Sequence, residues 1–141
     1  MHSVENLAVD PSSMLLAIAV TANGRIDARE VAALDRLQSF ERLGVRRDSF
    51  LIAAESALEE IGVPLSRTQW LRFSDRSLML ALQSAVIDPG QRLLVCRLSA
   101  AVITADGRVT GDERQVYASL LSKWGVTQTM VAHAIMRERL H

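Results

Sequence analysis

An internal repeat is the feature that most constrains the fold of this chain. Residues 104–108 read TADGR, and residues 21–25, 83 positions earlier, read TANGR. Each stretch follows an uncharged apolar segment and leads into a mixed segment with a glutamate at the same place, Glu30 or Glu113. The offset falls to 81 at Gly44 and Gly125, so the later copy is two residues shorter. Repeated units of this kind bury their apolar faces against each other, and we predict a duplicated helical hairpin within one domain.

Apolar periodicity predicts helices throughout the chain. Pro11 is a helix-start residue, and the segment behind it carries no charge through Ala22, as expected of a helix in the middle of a core. A second helix is predicted from Asp27 to Gly44, with apolar residues at spacings of three. No alternating run of β-branched residues indicates a strand. We therefore expect an all-α fold, a single compact domain of about seven to eight helices with an internal pseudo-twofold helical-hairpin repeat.

Most of the residues outside the repeat are also predicted to be helical. A third helix is predicted from about Asp48. The stretch between the copies is expected to hold a short helix opened by Ser66 and a longer helix capped by Asp75. The helical domain is predicted to span residues 11–141, preceded by an N-terminal arm of residues 1–10.

The second copy is predicted to open at Asp88-Pro89, with aspartate as the N-cap and proline at the first helical position. Its first helix carries Arg97 among apolar residues, so we expect this side chain to be half-buried beside a carboxylate. Thr110 has a glutamate three residues later and is expected to cap the next helix. Thr127 or Thr129 is expected to cap the last helix.

Composition excludes several classes of function. Sixteen basic residues balance sixteen acidic ones, so nothing electrostatic favours nucleic acid or an anionic membrane. No apolar run reaches the roughly 20 residues that span a bilayer, and we expect a cytoplasmic protein without direct membrane insertion. Cys96 is the only cysteine and is expected to be buried and inert. No histidine pair, metal-ligand cluster of histidines or phosphate-binding loop is visible, and we do not expect an enzyme.

The repeated turn is similar to the second half of a calcium-binding loop. Asp106, Gly107, Val109 and Glu113 match positions 5, 6, 8 and 12 of an EF-hand loop, whereas its first half supplies no carboxylate. Calcium takes six to eight oxygen ligands and one loop here offers about three, which excludes a genuine EF-hand. Two interpretations stay open. The turn is purely structural, with glycine in a left-handed conformation, or carboxylates of both copies share a weak cation site.

The candidate ligands of such a cation site are the acidic residues around the two turns: Asp106, Asp112 and Glu113 in the later copy, and Asp27 and Glu30 in the earlier copy. Carboxylate oxygens completed by water suit hard divalent ions such as Ca²⁺, Mg²⁺ or Mn²⁺. Asn23 stands in the earlier copy where the later copy has Asp106, so the earlier turn contributes one charge fewer.

The apolar helix, the Ala-Asp-Gly-Arg-Val turn and the glutamate-bearing helix that ends in Trp-Gly-Val, within residues 98–126, resemble the TerB-like domains. This family includes the tellurite-resistance protein TerB and the N-terminal part of the membrane-anchored co-chaperone DjlA. The resemblance implies an all-α repeat fold, a divalent-metal site of acidic residues, and association with a membrane-linked bacterial stress-response complex. By position, Asp106, Glu113 and Glu30 match the acidic residues of the family, and Asn23 departs from them.

Two functional hypotheses follow. In the first, the chain is a stress-associated accessory protein of the tellurite-resistance type that binds a divalent metal through its acidic turns. In the second, it is a small helical adaptor that docks a protein partner and has no metal site. The sequence does not specify an oligomeric state.

Overall fold

The computed structural model describes residues 9–22, 24–60, 73–105 and 111–139, which are helical except for short turns and contain no strand. The all-α prediction is therefore confirmed for this part of the chain. The predicted arm over residues 1–8 and the short helix opened by Ser66 lie outside the described residues. The helices are α1 (Pro11–Thr21), α2 (Ala28–Arg36), α3 (Ser39–Leu43), α4 (Arg47–Glu60), α5 (Phe73–Ala85), α6 (Pro89–Thr104), α7 (Gly111–Trp124) and α8 (Gln128–Arg139).

Helix α1 lies at the centre of the fold, as its lack of charge predicts. It begins at Pro11, and every residue from Ser12 to Thr21 is buried. The helix packs against α4, α5, α6 and α7. A helix that is apolar on all sides needs neighbours on all sides, because any uncovered face would leave apolar surface in water.

The two copies of the repeat cover each other. Helix α7 of the later copy packs against α1 of the earlier copy as well as against α6 of its own copy, and α2 of the earlier copy packs against α6. The helices that follow the two copies, α4 and α8, also occupy corresponding places. Helix α4 packs on α1, and α8 packs on α6. Each copy is thus followed by a helix that packs on the first helix of that copy; both helices were predicted, but not as part of the repeat.

Matching hydrogen bonds recur in both copies. The Thr21 hydroxyl donates to the carbonyl oxygens of Ala17 and Ile18, and the Thr104 hydroxyl donates to those of Ala100 and Ala101, 83 residues later. The helix ends also correspond. The backbone N–H of Val45 donates to the Phe40 carbonyl at 2.9 Å, and that of Val126 donates to the Leu121 carbonyl at 3.0 Å. These bonds are what a duplicated unit requires, and superposition of the copies about a pseudo-twofold axis stays a prediction.

The single second helix predicted from Asp27 to Gly44 is wrong. The chain leaves the helix after Arg36 and starts again as α3 at Ser39, with Gln38 in a left-handed conformation at φ 55°. The later copy, two residues shorter, has the continuous α7 instead. The two additional residues are accommodated by this interruption, because a continuous helix would rotate the following apolar residues by about 200° away from the core. Phe40 and Leu43 remain buried as a result.

Replacing Gln38 with glycine should raise the free energy of unfolding by about 0.5 to 1 kcal/mol. A residue with a Cβ atom is strained at positive φ, whereas glycine is not, and this relief exceeds the entropy that glycine loses on folding. Urea denaturation measures the change. The control is Ala32→Gly at an exposed position of α2, where the helix is regular and the same residue should cost about 1 kcal/mol. Equal destabilisation by both glycines would contradict the left-handed conformation.

Helix α5 joins the copies and is held against α7 by two hydrogen bonds. The Trp124 indole N–H donates to the Gln83 carbonyl at 2.9 Å, and the Gln83 amide donates to the Ser119 hydroxyl at 2.9 Å. Without these bonds, the indole N–H and the side-chain amide would lie unsatisfied in a largely apolar contact. Asp75, predicted to cap this helix, lies inside α5, because the helix has already formed at Phe73. That prediction is wrong.

Two other predicted caps are confirmed. The Asp88 carboxylate accepts a hydrogen bond from the Gln91 backbone N–H at 2.8 Å, with Pro89 in the first turn of α6. The Thr127 hydroxyl, rather than that of Thr129, accepts from the Met130 N–H at 3.1 Å and caps α8. Each cap satisfies one of the four donors that a helix start leaves unpaired. The predicted cap Thr110 lies outside the described residues.

Candidate functional site

The residues that lead into α2, together with its first turn, are the described part of the acidic turn in the earlier copy. Gly24 has the left-handed backbone predicted for it, at φ 88°. The Asp27 side chain accepts a hydrogen bond from the Arg29 backbone N–H at 2.7 Å and caps the helix, as predicted. Its carboxylate also lies 3.6 Å from the Arg25 guanidinium. Asp27 is thus both a cap and the buried partner of an exposed arginine.

Glu30 and Glu113 share an unusual environment for glutamate. Both side chains are fully buried, at 0% exposure, and both lie in the first turn of an otherwise amphipathic helix, α2 or α7. A carboxylate in the core is costly unless hydrogen bonds or cations compensate its lost hydration. The positive end of each helix dipole stabilises a carboxylate in that turn, though only by about 0.3 to 1 kcal/mol at an exposed site.

The repeat places these two carboxylates at equivalent positions, one in each copy. Each of their helices packs on the first helix of the other copy, α2 on α6 and α7 on α1, and α7 also packs on α6. Both residues were predicted as candidate ligands, but their burial was not predicted. Glutamate is mostly exposed in folded proteins, and burial at these positions depends on tertiary packing, which leaves no local pattern in the sequence.

The remaining candidate ligands are only partly described. Asp106 lies in the segment 106–110, outside the described residues, together with Gly107 and Val109. The backbone of Asp112 belongs to α7, and its side chain is not described. Among the side chains that the structure does describe, no three from histidine, cysteine, aspartate and glutamate are grouped so as to hold a metal ion. A cation site here would thus combine a buried glutamate with Asp106, Asp112 or water.

Two potentially nucleophilic side chains of the described residues, Cys96 and Tyr117, are buried. Burial raises the pKa of the Cys96 thiol to about 12, so the thiolate that would react is not formed at neutral pH. The pKa of the Tyr117 hydroxyl is also raised by burial. The Tyr117 hydroxyl donates to the Gln128 side chain at 2.8 Å, which is a structural contact between α7 and α8. His133 is exposed on α8.

A second charged group joins α3, α6 and α8. The Arg97 guanidinium donates twice to the Glu138 carboxylate, at 2.9 and 2.7 Å, and Arg42 donates to the same carboxylate at 3.0 Å. This confirms the carboxylate partner predicted for Arg97. The hydrogen bond from Arg97, aided by that from Arg42, holds the pKa of Glu138 below its usual value. Glu138 was not predicted as the partner of Arg97, because the two residues lie 41 positions apart in the sequence.

Comparisons with protein-family models, with curated proteins and with solved structures give no match to this chain. Among the described helices, none combines the length and the apolar character that a membrane crossing requires.

Proposed function

We propose that this protein is a stress-associated accessory protein of the TerB-like type that binds a divalent cation at its acidic turns. Glu30 and Glu113 are the principal ligands in this proposal, and Asp27, Asp106 and Asp112 contribute further oxygens. The cation is a hard ion such as Ca²⁺, Mg²⁺ or Mn²⁺, because all the ligands are carboxylates.

One observation carries the proposal: a fully buried glutamate occurs at the same position in each copy of the repeat. A purely structural turn needs a cap and a glycine, and Asp27 and Gly24 already meet those needs in the earlier copy. A glutamate three residues after a cap can also complete a capping box, so its position alone does not require a metal. Two buried carboxylates at equivalent positions offer the oxygen ligands that a hard cation prefers, and this repetition is what supports the proposed site.

The proposed role is binding, without catalysis. Its setting, inferred from the TerB resemblance, is the cytoplasm, in contact with a protein partner of a stress-response complex. Nucleic acid is not a proposed partner, since the sixteen basic and sixteen acidic residues cancel.

Thermal melting and calorimetry with Ca²⁺, Mg²⁺, Mn²⁺ and Zn²⁺ test the cation site. A ligand that binds only the native state stabilises it, by about 1.4 kcal/mol when the ion is tenfold above Kd. We expect a stabilising shift with at least one hard divalent ion, and we expect it to be lost in the double variant Glu30→Gln with Glu113→Gln. Because these substitutions alter stability by themselves, the quantity compared is the shift between metal-free and metal-loaded samples of each variant.

The matched control is Glu41→Gln on α3, an exposed carboxylate outside the turns, which should keep the full metal-dependent shift. A wild-type protein that melts at the same temperature with every ion contradicts the proposal. A shift that persists in the double variant places the cation elsewhere in the molecule. Asp106→Asn, tested alone, then shows whether the later turn contributes.

The adaptor hypothesis is favoured by a different observation. Several large apolar side chains on the described surface are more than two-fifths exposed: Ile52, Leu80, Ile87, Met130 and Met136. Single exposed apolar residues are common and carry little meaning, so these residues do not by themselves define a docking site. In the adaptor hypothesis, which has no metal site, these side chains are the ones that a protein partner would cover.

A further inference from the structure

A groove between α3, α6 and α8 is lined by apolar side chains and by more arginines than carboxylates. Its volume is about 280 Å³. Leu93, Leu94 and Ala134 provide apolar lining, and Gly90 lies toward the start of α6. The charged residues that line it are three arginines and one glutamate: Arg42, Arg97, Arg137 and Glu138. The groove therefore carries two positive charges more than its own carboxylate can balance.

The carboxylate of Glu138, which lines the groove, shows how the arginines of the groove bind an acidic group. Glu138 accepts two parallel hydrogen bonds from Arg97 and a third from Arg42. This forked geometry is the one by which arginine recognises carboxylates, and also phosphates. The side chain of Arg97 is 10% exposed and that of Arg42 is 33% exposed. Arg97 is thus fixed by the protein, whereas Arg42 also faces the solvent.

We propose that this groove binds an acidic peptide segment of a partner protein. A carboxylate of the peptide pairs with Arg42 and Arg137, and an adjacent apolar side chain covers Leu93 and Leu94. Glu138 acts as an internal competitor, since it already occupies part of the hydrogen-bonding capacity of Arg42 and Arg97.

The composition of the groove favours a peptide over a small inorganic anion. Phosphate would use the arginines and leave the leucine and alanine surface uncovered. A segment with alternating acidic and apolar residues uses both, because burial of apolar area adds to the charge-assisted hydrogen bonds. Ile87, 77% exposed in the turn that leads into α6, adds apolar surface at that end of the helix.

This proposal does not depend on the cation site. The groove residues on α6 lie between Gly90 and Arg97, in the first nine of its sixteen residues. The acidic turn of the later copy follows the C-terminal end of the same helix, after Ala105. Seven residues of helix rise by about 10 Å, so the last groove residue and the turn are separate along α6. Either proposal can fail while the other holds.

The test uses fluorescence anisotropy with a short labelled peptide that alternates glutamate and leucine. A second peptide that alternates glutamine and leucine has the same apolar content without charge. We expect saturable binding of the acidic peptide only, weakened by added salt. Arg42→Gln and Arg137→Gln should each weaken it about tenfold, since a hydrogen bond to a charged group contributes at least about 1.5 kcal/mol. Glu138→Gln should tighten binding by removing the competing carboxylate.

Arg139→Gln is the matched control. It removes the same charge from the same helix at an exposed position that does not line the groove, and it should leave the affinity unchanged. Circular dichroism checks that each variant is folded. Equal binding of the two peptides overturns the proposal, as does an affinity that the Arg42 and Arg137 substitutions do not change. Displacement of the acidic peptide by inorganic phosphate at the concentration at which unlabelled peptide displaces it would show a simple anion site instead.

Discussion

Replacing Leu16 with alanine should lower the free energy of unfolding by about 3 to 4 kcal/mol. Leu16 lies in the middle of α1 and has 0% exposure. The helix is covered by α4, α5, α6 and α7, so neighbours on several sides restrict collapse around the missing atoms. Deletion of a buried leucine side chain in such a place loses its transfer free energy and also leaves a cavity. Urea denaturation followed by circular dichroism measures the loss.

The matched control is Leu80→Ala, the same chemical change on α5 at a side chain that is 53% exposed. We expect it to alter the free energy of unfolding by no more than about 0.5 kcal/mol. A Leu16→Ala variant that unfolds at the same urea concentration as Leu80→Ala would mean that α1 is not the centre of the core.

Replacing Glu138 with glutamine should lower the free energy of unfolding by about 2 kcal/mol at neutral pH. The variant leaves Arg97, which is only 8% exposed as a whole residue, without its charged partner. Because the folded-state pKa of Glu138 is lowered, its carboxylate contributes stability above its unfolded-state pKa of about 4.3. That contribution is lost as the pH falls through the lower folded-state pKa. Wild type and variant should therefore converge in stability at acidic pH.

Denaturation of both proteins at neutral pH and at about pH 3 measures this convergence, since most unfolded-state glutamates are protonated at the lower pH. Glu41→Gln, an exposed carboxylate on α3, serves as the control and should change stability little at either pH. A difference between wild type and Glu138→Gln that is the same at both pH values would show that packing, and not charge, accounts for it.

Local signals in the sequence predicted much of the fold. The uncharged segment behind Pro11 identified the buried helix, and the caps at Asp27 and Asp88 are confirmed. These features depend on neighbouring residues, which is why they are visible without a structure. The interruption at Gln38 was missed, because glutamine favours helix and the residues around it keep an apolar spacing of three. Only the comparison of lengths between the copies indicated two additional residues.

The candidate site was less predictable, because it depends on contacts between distant segments. Glu30 and Glu113 were selected from their equivalent positions, yet their complete burial depends on how the helices pack together in the fold. Glu138 was missed altogether, since nothing near it in sequence indicates that Arg97 and Arg42 converge on its carboxylate. Pairing over such separations is decided by tertiary structure and leaves no local pattern.

The packing of α1 makes the two copies of the repeat depend on each other. Two of the four helices that cover α1, α6 and α7, belong to the later copy. A chain with the earlier copy alone would leave apolar surface of α1 in water. The two copies should therefore unfold together in one cooperative transition.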